Sequence, residues 1–320
     1  MKRKKWLWLL LLLPLIPLTF FPGFLFYTTA PIVEGLSDFN LAYNEKQALD
    51  IYFPTQKKYE ADPVVVFIHG GAWITGRKES INFNRFNGAV EKLRAQGFAV
   101  VSPSYTLAED GISPFPQNIK DVIDAVLWLK KNASAYELDS NSIGLLGESA
   151  GAHLGLMLAF HAYADAHPDW PRPEIDYLVD VYGPTEMRTL YFSEKLDSLN
   201  SFIEDLPAIL REPLDISRNL MGFDPQKDSV KASQFMHEYS PINFLKSELP
   251  PVLIIHGDQD QLVSVEQSQL LVAKMDSLNL NFEYHELEGV NHAFLGVTDS
   301  QKDSIQFWIS GFILKQYPLN

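Results

Sequence analysis

The sequence predicts an α/β fold, with a mostly parallel, doubly wound sheet and helices on both faces. Three observations carry that expectation. Short apolar runs rich in β-branched residues alternate with amphipathic stretches; a glycine-flanked serine stands where one such run passes into a helix; and the alternation breaks once, over residues 185–245.

In chain order the first element is a leader. Lys2, Arg3, Lys4 and Lys5 precede residues 6–27, 22 positions without a charge, long enough to reach across the ~30 Å of a bilayer core. Basic residues ahead of an apolar run mark a secretory signal or an N-in anchor, with everything downstream extracytoplasmic, either periplasmic or secreted. Pro14, Pro17, Pro22 and Gly23 argue against a buried core helix. Thr28-Thr29-Ala30 resembles a cleavage site, but the apolar run is longer than a signal needs and Pro31 follows directly, so the expectation is an uncleaved anchor contacting the membrane through residues 6–27. Residues 1–30 are thus read as signal or anchor and 31–320 as one catalytic domain.

Residues 41–52 alternate around Asn44-Glu45-Lys46, which predicts an antiparallel hairpin at the sheet edge. The runs at 63–69, 98–104, 142–147, 177–182 and 251–256 read as strands covered on both faces. Between them, 86–96, 119–131 and 267–278 carry apolar residues at three- and four-residue spacing, as helices do. Such alternation implies right-handed βαβ crossovers. Residues 282–287 are the expected last strand and 301–316 the closing helix. The interruption at 185–245 concentrates Leu190, Tyr191, Phe192, Leu196, Leu199, Phe202, Ile203, Leu206, Ile209 and Leu210 in its first half. A connection of this length is usually functional, and it is expected to be a helical lid over the carboxyl edge of the sheet.

Composition narrows the function. The chain has 26 Lys plus Arg against 40 Asp plus Glu, a net charge of −14, and no Cys. With the four leader bases set aside, residues 6–320 carry 22 bases and 40 acids, a formal −18, which disfavours nucleic acid as a partner. Zero Cys removes disulfides, thiolate metal sites and a cysteine nucleophile. Oligomeric state is not legible.

Gly147-Glu148-Ser149-Ala150-Gly151 begins at the end of a strand and runs into a helical stretch. A nucleophile on a tight strand-to-helix turn needs glycine two places before and after it, because close backbone leaves no room for Cβ atoms. His69-Gly70-Gly71-Ala72-Trp73 ends the first strong strand. Its consecutive glycines can aim N–H groups of Gly70 and Gly71 at an oxygen, and with the N–H of Ala150 they would form an oxyanion hole. An overlapping near-match to a phosphate loop, residues 71–79, fails because Arg77 and Lys78 stand where Lys and Ser or Thr are required.

A serine nucleophile needs a base, and the base an orienting acid. The loops after the last two strands supply Asp258 and Asp260, then His292 within Gly289-Val290-Asn291-His292. Asp260 is preferred as the acid because it lies in the loop past the strand, leaving Asp258 to support the turn. His69, His153, His161 and His256 are expected to be structural imidazoles; His285 lies inside a strand, and His167 and His237 have no motif around them.

The ordered set of His69–Trp73, Gly147–Gly151, Gly257-x-x-Asp260 and Asn291-His292 resembles the α/β-hydrolase superfamily, within it the microbial carboxylesterase branch related to hormone-sensitive lipase and kynurenine formamidase. Ala48-Leu49-Asp50-Ile51-Tyr52, Tyr105-Thr106-Leu107-Ala108 and Phe115-Pro116 extend the likeness across residues 40–316. Ala72, where many lipase-like members have Gly, and the absence of room for their N-terminal cap are departures. The resemblance implies the α/β-hydrolase fold and a serine carboxylesterase acting on a small-molecule ester through Ser149, Asp260 and His292, without metal or cofactor. An amidase or formamidase with the same machinery, and a non-catalytic binding protein on the same scaffold, are the alternatives.

Overall fold

The computed structural model describes residues 35–192 and 216–317. The leader at 1–30, and within the expected lid the stretch 193–215 from Leu196 to Leu210, lie outside the described residues.

Eight strands form one sheet: β1 (Ser37–Ala42), β2 (Ala48–Tyr52), β3 (Asp62–Ile68), β4 (Ala99–Pro103), β5 (Leu138–Glu148), β6 (Leu178–Val181), β7 (Val252–Gly257) and β8 (Phe282–Leu287). Their spatial order is β1-β2-β4-β3-β5-β6-β7-β8, antiparallel at the β1–β2–β4 edge and parallel from β4 through β8. The apolar runs explain this. Val64 to Ile68 and Leu253 to Ile255 are all buried, as strands must be when helices cover both faces of a parallel sheet. β8, at an edge, keeps only Leu287 fully buried and alternates accordingly.

The helices of the described residues are α1 (Asn87–Ala95), α2 (Gln117–Asn132), α3 (Ala150–Ala159), α4 (Met187–Tyr191), α5 (Ile216–Met221), α6 (Ser229–Glu238), α7 (Glu266–Ser277) and α8 (Asp299–Gln316). α3 is buried along its whole length, so its small residues, Ala150, Gly151, Ala152 and Gly155, are what let it lie close to the sheet. Residues 185–192 and 216–245 hold α4, α5, α6 and a 3-10 turn, with no strand among the described residues there. Their two ends are tied together: Met187 N–H donates to Ser240 Oγ (2.8 Å) and Ile242 N–H to the carbonyl of Thr185 (3.2 Å). No helix among the described residues is long and apolar enough to cross a membrane.

Register carries the fold to its functional edge. Ile68 pairs with Gly147, Glu148 with Val181 and Gly257 with Leu287, so the segments leaving β3, β5, β6, β7 and β8 emerge at one carboxyl edge. That edge is where open α/β sheets bind ligands.

Candidate active site

Ser149 caps α3 with φ +52° and ψ −121°, a conformation that a residue with a side chain adopts only when its surroundings enforce it. Enforcement comes from both sides. Its N–H donates to the carbonyl of Val181 (2.9 Å) and its own carbonyl accepts from His153 N–H (3.1 Å). A Cβ on Gly151 would lie 2.0 Å from the carbonyl oxygen of Ile68, so only glycine lets the helix start this close to β3.

Across the edge, the Ser149 hydroxyl donates to His292 Nε2 (3.1 Å), and His292 Nδ1–H donates to Asp260 Oδ2 (2.7 Å). These contacts join residues 143 and 32 positions apart in the chain. They also fix the tautomer: with the proton on Nδ1, the lone pair of Nε2 faces the hydroxyl. Asp260 Oδ1 accepts from the N–H groups of Leu262 (2.9 Å) and Val263 (2.8 Å), leaving Oδ2 to the imidazole. Burial alone would raise the Asp260 carboxyl, but hydrogen bonds and charge interactions with His256 and His292 outweigh it and hold the group well below the usual carboxylate range.

Several further residues support these three. His256, expected to be structural, is fully buried and has its Nε2 3.3 Å from Asp260 Oδ2, while Nε2–H donates to the carbonyl of Val263 (2.9 Å) and Ser268 donates to Nδ1 (2.7 Å). Asn291 Oδ1 accepts from His292 N–H (2.7 Å) and Gln261 N–H (2.9 Å), clamping the two loops together. Asp258 supports the neighbouring loop, accepting from Gly289 N–H (2.7 Å). After His292, Ala293 and Phe294 take φ +54° and +55°, and Arg85 donates to the carbonyl of Ala293 (2.9 Å). Phe294 is fully buried, edge-on to Tyr182 (4.9 Å) and Phe86 (6.4 Å).

The glycine loop is shaped by its peptide planes. Gly71 takes φ +120°, and a Cβ there would meet the carbonyl oxygen of Thr75 at 2.1 Å. His69, buried and lowered to about 4 chiefly by desolvation, keeps its Nδ1–H on the carbonyl of Gly70 (2.8 Å). Since C=O and N–H of one peptide point oppositely, this turns the N–H of Gly71 to the other side. Gly70 N–H donates to Glu148 Oε1 (3.4 Å), whereas the N–H groups of Gly71 and Ala72 meet no acceptor among the described residues. Lys78, a residue of the failed phosphate-loop match, is buried and paired with Asp50 (2.8 Å) and Glu79 (2.9 Å), anchoring the loop to the hairpin.

The remaining histidines serve elsewhere. His153 donates to the carbonyl of Tyr239 (2.8 Å), His161 to that of Pro173 (3.3 Å), and His285 stacks on Trp308. A hydroxyl hydrogen-bonded to an imidazole, a carboxylate on the far side of that imidazole and N–H groups without an acceptor among the described residues thus gather at one sheet edge, an arrangement that can support acyl transfer.

Residues 49–275 match the family described as BD-FAE. Esterase LipC of Mycobacterium tuberculosis is 26% identical over 253 residues, covering 78% of this chain and 57% of that protein. Kynurenine formamidase of Meyerozyma guilliermondii is 26% identical over 224 residues, covering 69% of this chain and 74% of that one. The chain spans about half the length of the mycobacterial esterases it matches, at 57%, 50% and 49%. Among solved structures, a truncated carbohydrate esterase from gut microbiota superposes with a TM-score of 0.69 at 22% identity, covering 90% of this chain and 99% of that one, which shows the shared fold.

Proposed function

Because the chain belongs to the BD-FAE family, within the α/β-hydrolase carboxylesterases, we propose that it is an exported serine hydrolase that cleaves carboxylic esters through an acyl-enzyme. The observation that carries the reading is the hydrogen-bonded series from Ser149 through His292 to Asp260. As Ser149 Oγ attacks the ester carbonyl carbon, its proton passes to His292 Nε2, and Asp260 stabilises the imidazolium. That proton then goes to the departing alkoxide, leaving an acyl-serine and a free alcohol. Water, deprotonated by the same imidazole, attacks the acyl-serine, and the imidazolium returns that proton to Ser149 Oγ as the bond to the acyl carbon breaks and the acid leaves.

The negative oxygen of each tetrahedral intermediate is held by backbone N–H groups of Gly71, Ala72 and Ala150. Each well-placed donor of this kind is worth about 2.7–4 kcal/mol in acyl transfer. Gly70, expected from sequence to donate as well, has its N–H directed to Glu148, and the third donor is assigned to Ala72, whose N–H meets no acceptor among the described residues.

Export rests on the four leader bases and the 22 uncharged positions behind them, read as an anchor. The segment 185–245 is proposed to cover the site and select the substrate, a role supported by its length and by the ties between its described ends, Thr185 with Ile242 and Met187 with Ser240. The similarity to kynurenine formamidase favours one alternative, hydrolysis of an N-formyl amide by the same groups. Kinetics of the wild type and Ser149→Ala on short nitrophenyl esters and formanilides test both readings. Ester turnover lost in S149A is the expected result, turnover retained would sink the serine mechanism, and a strong preference for formanilides would select the amidase.

A further inference from the structure

Glu148, between Gly147 and the nucleophile, is a carboxylate that the acyl-transfer scheme leaves unused. Its two oxygens face opposite halves of the site. Oε1 accepts from Gly70 N–H (3.4 Å) and Oε2 from the Tyr182 hydroxyl (3.1 Å). Tyr182 follows β6 at φ +46° and is buried, with its ring centroid 4.8 Å from that of His292. Gly70 is seated directly on this turn, since a Cβ there would come to 3.3 Å from both Glu148 Cγ and Ser149 Cβ.

The connections continue outward. Tyr105 donates to the carbonyl of His69 (2.8 Å), the other end of the peptide whose N–H reaches Glu148. The next peptide is fixed by His69 itself through the carbonyl of Gly70. Two successive peptide planes of the donor loop are therefore set, one by Glu148 and one by His69, and the second presents the N–H of Gly71. Desolvation holds the Glu148 carboxyl above its ordinary value, although its hydrogen bonds and the charge of His292 oppose the rise.

We propose that Glu148 is a positioning residue for both halves of the reaction centre: it ties Gly70 of the donor loop to the Tyr182 ring beside His292, fixing the spacing of oxyanion donors and base on either side of Ser149. The proposal rests on the serine-hydrolase reading and adds to it a residue that touches neither substrate nor the reacting atoms. Misplacing donors and base together weakens interactions made only in the transition state, so the loss falls on kcat.

The test is nitrophenyl acetate hydrolysis by the full chain and by Glu148→Ala, Glu148→Gln, Tyr182→Phe and the double variant E148A/Y182F, with S149A as control. E148A is expected to lower kcat about 30- to 100-fold and Y182F about 3- to 10-fold, each with KM within about threefold of wild type. Because both act through one chain of contacts, the double variant is expected to be no slower than E148A. Gln keeps an acceptor for Gly70 and can donate to the phenol oxygen, so E148Q is expected to recover to within about fivefold of wild type. E148A and Y182F each within twofold of wild type, a loss confined to KM, or effects that multiply in the double variant would overturn the proposal. Should E148A fail to fold, Y182F decides alone, since it removes one hydroxyl and leaves the ring. Activity undiminished in S149A would instead overturn the serine-hydrolase reading, and this proposal with it.

Discussion

Asp260 organises more than the imidazole it orients. One oxygen takes two backbone N–H groups of its own loop, and the other meets His292 with His256 close by. Asn at this position keeps the size but presents either a neutral oxygen or an NH₂ that favours the wrong imidazole tautomer. Asp260→Asn is therefore expected to lower kcat by about three to four orders of magnitude and, because the fold gains stability from the ionised carboxylate at neutral pH, to lower the melting temperature as well, measured by ester kinetics beside thermal unfolding. The choice of Asp260 over Asp258 was legible because the chemistry needs an acid past the strand end. The role of Arg85 was not, since its partner is brought near only by folding. Arg85 meets Ala293 across 208 positions, a separation no local pattern encodes. The N–H of Ala72, which meets no acceptor among the described residues, hides for another reason: a backbone donor leaves no mark on residue type.

At the scale of elements, the turn from β5 into α3 and the buried strand β6 carry the sharpest expectations. With Gly151 against the backbone of β3, Gly151→Ala cannot be relieved by moving a side chain, and a destabilisation of at least about 3 kcal/mol is expected from denaturant titration. Asp180 in β6 accepts from Gly183 N–H (2.9 Å) through Oδ1, while Oδ2 has no partner among the described residues. Burial raises this carboxyl to about 7, against that one hydrogen bond. A folded-state value above the unfolded one means the fold favours the protonated acid, so its contribution is full below about pH 4 and is lost as pH climbs through 7. Asp180→Asn, neutral throughout, is expected to melt about 3–6 °C higher than wild type at pH 8, with the gap narrowing from pH 7 and closing near pH 4. His69 and His153, both lowered to about 4 by burial, have the opposite sign and withdraw stability as pH falls from 6.5 to 4. The melting temperature of D180N should therefore fall more steeply over that interval than that of wild type. The elements themselves were readable because apolar period decides them. β3, β4 and β7 are continuous runs, α2 has a helical spacing, and Asn44, which accepts from Lys46 and Gln47 N–H, turns the hairpin. The described residues 185–192 and 216–245 were readable only as helical, since periodicity gives a helix its apolar face without saying what that face covers.

For the whole molecule, an acidic hydrolase domain joined to a basic, apolar leader is expected to behave as a membrane-anchored enzyme facing away from the cytoplasm. After expression of the full chain in a bacterial host, activity should pellet with membranes and be released by detergent; a soluble mature protein beginning at Pro31 would show that the leader is cleaved. Five strand ends meet at one edge, and Ser149 stands on one of them. The most direct measurement is labelling of the full chain with a fluorophosphonate, followed by mass spectrometry of its peptides. The account predicts a single adduct on Ser149, formed as ester turnover is lost and absent from S149A. An unmodified Ser149 in protein whose activity the reagent has abolished, or ester turnover that survives complete modification of Ser149, would contradict it.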